Sequence, residues 1–365
     1  MNGDASVRPE AGRRAPSVRV RVLVTLACFV GGLLLLEAAM RFLLFHPSEL
    51  ARSWGATLRN PRRYFDTKGS YVVPTPQDPE LGWLSHEIDP LTYRHIDAGS
   101  VGTRRPVLLF GSSFVYPLDP DLPDHTELLE ASELGRDHRL LNYSVKNYGL
   151  GQICLLLERS FEHHAAARPI VIVAIMVNTV IDRADMSLRQ GPKPRVVPDE
   201  HGEFDVVYPD TLDVAEFIER HPPEITSYAW NHLLIGMDVV PEGIRNRLLG
   251  LPEVERRRRE ILAACLRKVK ATLDGRCDYF LLGLFPEKSI AAVDDDWRRT
   301  LWQELARELE IPTVSMLPML LRDVETTGAS VGDFYLVDNG HPNQRGIELI
   351  QAAIQRGVRG EYDEP

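Results

Sequence analysis

The sequence predicts an α/β domain with a doubly wound parallel sheet, placed behind one apolar N-terminal helix, and three observations carry that expectation. From Pro106 onward, short apolar runs alternate with stretches of helical period. Runs such as IVIVAIMV and YFLLGLF show no polar alternation, so both of their faces need cover, as strands of a parallel sheet receive from helices. From Val22 to Met40 the sequence VLVTLACFVGGLLLLEAAM is apolar except at Thr25 and Glu37. At about 1.5 Å per residue that stretch approaches the ~30 Å hydrocarbon core of a bilayer.

Residues 1–17, with their Arg, Gly and Pro, read as a disordered tail, and residues 18–45 as a single transmembrane anchor. Arg8, Arg13, Arg14, Arg19 and Arg21 precede the span and only Arg41 follows it closely. That bias puts the N-terminus in the cytoplasm and everything after the span outside it. A cleavable signal peptide is the competing reading. The exit LLEAAMRF, however, sets Leu36 or Glu37 where a cleavage site wants a small residue, which favours an uncleaved anchor.

Residues 46–105, rich in Pro, Arg and Tyr, read as an irregular approach segment packed on the flank of the domain that occupies residues 106–365. Within that domain the apolar runs Val107–Phe110, Leu140–Val145, Ile170–Val177, Tyr279–Phe285 and Ile311–Ser315 are the expected strands. Between about Ala184 and Val254 an insertion rich in Pro, Asp and Glu, with Phe204, Tyr208, Tyr228 and Trp230, interrupts the alternation. It follows the third strand, so it is read either as a lid that overhangs the strand ends or as a surface excursion.

Composition excludes several classes of function. An apolar fraction of 44% suits a packed core, and a net charge of −10 without a basic stripe argues against nucleic acid as a partner. Cys28, Cys154, Cys265 and Cys277 form no CxxC pair and no Cys/His cluster at metal spacing, so neither a metal nor a cofactor is expected. Cys265 and Cys277 could be bridged in an oxidising compartment, but the fold is not expected to depend on it. The run Arg256–Arg259 opens a helical stretch and reads as a solvated face rather than an anion site. His163 and His164 read as a helix-end contact rather than metal ligands.

Chemistry in a doubly wound sheet gathers at the carboxyl ends of the strands. After the first strand comes Phe110-Gly111-Ser112-Ser113-Phe114, where a serine at the strand-to-helix corner can expose its hydroxyl as a nucleophile. After the second comes Lys146-Asn147-Tyr148-Gly149, whose glycine can bring a bare N–H to a ligand oxygen, and after the third comes Asn178, whose amide can donate to an oxyanion. Alone, each also reads as an ordinary turn or cap residue. The last block, Asp338-Asn339-Gly340-His341-Pro342, precedes a helix expected over Gly346–Ile354 with Pro342 in its first turn. The three-residue offset lets a carboxylate hold one nitrogen of the imidazole while the other faces the serine.

The order and placement of these blocks resembles the SGNH/GDSL hydrolase family over about residues 106–356. The resemblance implies a flavodoxin-like doubly wound sheet, a Ser-His-Asp triad of Ser113, His341 and Asp338, and oxyanion donors at Gly149 and Asn178. Ser112 stands where the family usually has Asp, and Met176 and Thr179 replace the Gly and Asp that flank the family's Asn. The expected function is hydrolysis of ester-linked acyl groups, acetyl among them, on envelope polysaccharide or another small ester. An O-acyltransferase using the same residues, and a non-catalytic module of envelope assembly, are the alternatives.

Overall fold

The computed structural model describes residues 18–45, 77–84, 101–116, 121–177, 179–221, 227–229, 251–287, 290, 297–337 and 340–363. Five strands form the central sheet: β1 (Arg105–Phe110), β2 (His138–Asn142), β3 (Ile170–Met176), β4 (Asp278–Leu284) and β5 (Thr313–Ser315). They lie in the order β2-β1-β3-β4-β5, and every neighbouring pair is parallel. The apolar runs predict a doubly wound parallel sheet, and the flavodoxin-like order is the one that the family resemblance implies. All seven residues of β3 are buried, which is why that run carries no polar alternation.

The helices, numbered in chain order, are α1 (Val18–Phe45), α2 (His125–Glu130), α3 (Leu150–Phe161), α4 (Thr179–Ala184), α5 (Val214–Arg220), α6 (Leu251–Leu273), α7 (Trp297–Glu308), α8 (Met316–Thr327) and α9 (Gln344–Val358). One layer is built from α3, α4, α6 and α7, and the other from α2, α8 and α9. Two glycines let the layers close on the sheet. A side chain at Gly283 of β4 would overlap the Trp302 ring of α7, and one at Gly357 of α9 would overlap the Phe280 ring of β4.

Strand and helix ends depart from the sequence reading by a few residues for local reasons. The second strand stops at Asn142 rather than Val145 because Asn142 Oδ1 accepts hydrogen bonds from the N–H and hydroxyl of Ser144, folding a turn. Helix α9 begins after Asn343, whose side chain accepts from Gly346 N at 3.1 Å. Pro342 therefore stands just before the cap rather than in the first turn, in an isolated bridge to Tyr335.

The described part of the approach segment is a short hairpin, Gln77–Asp78 with Gly82–Trp83, packed on the domain through buried Leu81, Trp83 and Leu84. It grips the loop after β2: Tyr148 Oη donates to Trp83 O at 2.5 Å, Gln152 Nε2 to Leu81 O at 2.6 Å, and Trp83 Nε1 to Lys146 O at 3.4 Å. All four cysteines are free, with Cys265 and Cys277 unbridged. His163 and His164 N–H groups donate to Ser160 O and Phe161 O at the end of α3, and Tyr143 Oη and His164 Nε2 lie 2.6 Å apart.

The chain divides into two compact units, Met1–Tyr64 with Glu224–Arg245, and Phe65–Pro223 with Asn246–Pro365. The insertion is thus not one body. Its first part carries a small hairpin, Arg195–Val196 with Val206–Val207, and α5, and belongs to the sheet-bearing unit. Its later part belongs with α1, whose segment Val22–Leu43 has a mean hydropathy of 2.3 and is long enough to cross a membrane. Within that unit Glu37 explains its own place in an apolar helix: Ser227 Oγ and Ala229 N–H each donate to Glu37 Oε2 at 2.9 Å. Arg41 Nε donates to Glu37 Oε1 at 2.6 Å, and the guanidinium lies 5.1 Å from the centre of the buried Tyr228 ring.

The fit of Gly357 against Phe280 predicts that Gly357→Ala destabilises the full chain by about 1–3 kcal/mol, the usual cost of overpacking a close-packed core. Chemical denaturation measures it, and an unchanged midpoint would mean that α9 does not press on β4 as described.

Candidate active site

The sheet order fixes where a site can form. The chain passes from β1 to β2 on one side and returns to β3 on the other, so the connections after β1 and β3 leave in opposite directions and open a crevice at their carboxyl ends. Ser113 lies in the turn that follows β1. That turn is tight because Gly111 has no side chain: a Cβ there would press on Val115 and approach the Ala174 Cβ of β3 to 3.1 Å. Val115 N–H closes the turn on Ser112 O at 3.2 Å.

His341 reaches this corner from a loop closed on itself. Leu336 N–H donates to His341 O at 2.7 Å and Gly340 N–H to Leu336 O at 2.9 Å, while Gly340 adopts the left-handed φ of 68° that such a tight loop requires. The result is a separation of 3.0 Å between Ser113 Oγ and His341 Nε2 across 228 positions of sequence. The Phe114 ring covers the imidazole with centroids 5.5 Å apart, and only 7% of Ser113 is exposed.

Burial pushes the His341 imidazole below its usual pKa, and the charges of Arg183 and Lys146 push the same way. The ring is therefore neutral near pH 7, with Nε2 placed to accept the serine proton. Asp338 and Asn178, predicted as the orienting carboxylate and an oxyanion donor, lie outside the described residues.

Gly149, expected as an oxyanion donor, stands at the N-terminal cap of α3. Its N–H donates to Gln152 Oε1 at 3.1 Å, and that buried side chain is held in turn by Leu81. The amide is already committed to capping α3. What demands glycine here is packing: a Cβ would lie 2.7 Å from the Arg183 carbonyl carbon at the end of α4. Two residues earlier, Asn147 has a left-handed φ of 66°, and its N–H has no hydrogen-bond partner among the described residues. Its loop is tied to the nucleophile turn by Val145 N–H donating to Gly111 O at 3.1 Å.

Beside Ser113 is a small cavity of ≈ 20 Å³ lined by Phe114, Tyr116, Leu122, Asp124, His125 and Ile347. His125 is the functional candidate that sequence reading misses. It opens α2 behind the capping residue Asp124, its Nδ1 lies 3.1 Å from Gln351 Oε1, and burial lowers its pKa. The only sequence signal is the Asp-His step at a helix start, which is too common to single out. Among the described residues, no group of His, Cys, Asp and Glu could hold a metal ion.

No family model and no curated protein matches the chain. Among solved structures it is similar to the lipase/acylhydrolase from Enterococcus faecalis, at 15% identity and a TM-score of 0.36, over 72% of this chain and 98% of that one. It is also similar to an acetylxylan esterase from Geobacillus stearothermophilus, at 15% identity and a TM-score of 0.36, over 71% and 95% of the two chains. A lipase from a goat rumen metagenome matches at 13% identity and a TM-score of 0.35, over 69% and 96%.

The burial of His341 predicts that its ring protonates only below the usual histidine value of 6.5. Protonation removes the acceptor lone pair at Nε2, so the ring can take the serine proton above that titration and loses that ability as pH falls through it. Imidazole NMR resonances, assigned by their loss in His341→Ala, measure the value. A titration above 6.5 would contradict the environment described here.

Proposed function

We propose that this chain is a serine ester hydrolase of the SGNH/GDSL type, held by α1 in a membrane with its sheet-bearing unit outside the cytoplasm. The observation that carries the proposal is the 3.0 Å contact between Ser113 Oγ and a neutral, half-buried His341. A binding or scaffolding module has no need of a hydroxyl set against an imidazole acceptor at the switch point of a sheet. The location rests on the arginines that precede the span.

In the proposed reaction, His341 Nε2 takes the Ser113 proton as Oγ attacks the ester carbonyl, and then returns it to the departing alkoxide. Water, activated by the same nitrogen, releases the acyl group as acid and restores the serine. Asp338 is assigned to His341 Nδ1, where a carboxylate fixes the tautomer and stabilises the imidazolium. The oxyanion is assigned to the Ser113 N–H, the Asn178 amide and, because the Gly149 amide is engaged, the Asn147 N–H. Donors of this kind each typically lower the barrier by about 3 kcal/mol.

The cavity bears on the acyl group. A single water needs roughly 10–15 Å³, so a space of ≈ 20 Å³ walled by Phe114, Leu122 and Ile347 together with Asp124 and His125 suits an acetyl group and little more. The acyl group is therefore proposed to be acetyl.

Two measurements test the proposal. Purified protein should hydrolyse an aryl acetate, and Ser113→Ala and His341→Ala should each lower kcat/KM by roughly 10⁴-fold or more, whereas full activity in Ser113→Ala would end it. Along a series of aryl esters, kcat/KM should fall about tenfold or more from acetyl to butanoyl, and a preference for long chains would refute the acetyl assignment.

A further inference from the structure

The wall beside the nucleophile carries an ammonium that hydrolysis of a neutral ester leaves unused. Lys146 follows β2 in the loop that the Trp83 indole holds by its carbonyl. Its Nζ stands 4.5 Å from the centre of the Tyr116 ring, and Tyr116 lines the same cavity as Ser113. The side chain is half-buried, and among the described residues no carboxylate pairs with it. In a chain of net charge −10, an unneutralised cation held against a cleft is not a by-product of composition.

Its neighbourhood deepens the positive potential. Arg183 is buried at the end of α4, with its backbone against Gly149 in the Lys146 loop, and its charge acts on His341 together with that of Lys146. Just behind it, Arg257 Nε lies 2.9 Å from Asp185 Oδ1, and Lys193, Arg195 and Arg258 act on the same carboxylate. The arginine run that sequence reads as a solvated face thus turns inward in part, with Arg258 only 5% exposed.

We propose that Lys146, backed by Arg183, forms a subsite for an anionic oxygen group, a carboxylate or a phosphate, on the alcohol side of the ester. The assignment of sides rests on the hydrolase reading above. Asp124 already sets a carboxylate in the lining of the small acyl cavity, so a second negative charge is repelled there and is accommodated outside it, along the wall where Lys146 stands. A lysine on a flexible stem supplies a point charge that suits either oxyanion without dictating a planar geometry.

The test compares an O-acetylated methyl glucuronoside and an O-acetylated methyl glucoside 6-phosphate with the uncharged O-acetylated methyl glucoside. At low salt, kcat/KM should favour at least one anionic ester by about tenfold, expressed in KM, the size expected of one charge-assisted contact. That preference should shrink toward unity in Lys146→Gln, survive in Lys146→Arg, and fade near 1 M salt, where the Debye length is about 3 Å. No preference in the natural protein, or one that Lys146→Gln leaves intact, overturns the subsite. Calorimetry of the deacetylated glucuronoside and 6-phosphate with Ser113→Ala protein separates the two readings. Lys146-dependent binding without cleavage of any ester would leave the subsite standing and remove the hydrolase, and absence of both binding and preference would remove the subsite.

Discussion

A single hydrogen-bond distance, 3.0 Å between Ser113 Oγ and His341 Nε2, is what the rest of the architecture has to deliver. Neither residue could impose it locally. It requires a first strand in the middle of the sheet, a turn after that strand made possible by Gly111, and a last loop tied to itself through Leu336 and Gly340. The burial that holds the two together also keeps the imidazole neutral. Packing and chemistry are therefore one arrangement, since loosening the cover of Phe114 over the ring would raise both the mobility of His341 and its affinity for a proton.

The same economy governs the loop after β2. Gln152 satisfies the Gly149 amide and the Leu81 carbonyl at once, so the approach hairpin and the start of α3 share one buried amide. Trp83 and Tyr148 extend that lock to the stretch carrying Lys146 and Asn147. A rigid loop here holds both the proposed oxyanion donor and the proposed anion contact without the cost of ordering them when substrate binds.

How much of this is legible in the sequence depends on whether the signal is periodic or positional. Strands buried on both faces announce themselves as unbroken apolar runs, so β1 to β5 can be read from the sequence with small errors at their ends. Ser113 is legible because it falls just past a periodic element, and His341 because it falls just before one. Gly149 is hard to read because two physical demands, a bare amide and room for the Arg183 backbone, select the same residue type. Pro342 yields the helix start to Asn343, a better cap one residue on. His125 and Lys146 stay hidden since their meaning lies in what packs beside them. The insertion reads as one segment, yet Glu37 draws residues 227–229 to α1, a pairing with a polar residue in an apolar helix that no local pattern reveals.

The most direct test of the account is to treat the full-length protein with a fluorophosphonate, which phosphonylates only a serine made nucleophilic by a neighbouring base, and to locate the adduct by peptide mass spectrometry. The account predicts a single modification at Ser113 that His341→Ala suppresses. Modification that is absent, placed elsewhere, or undiminished without the His341 imidazole would contradict it.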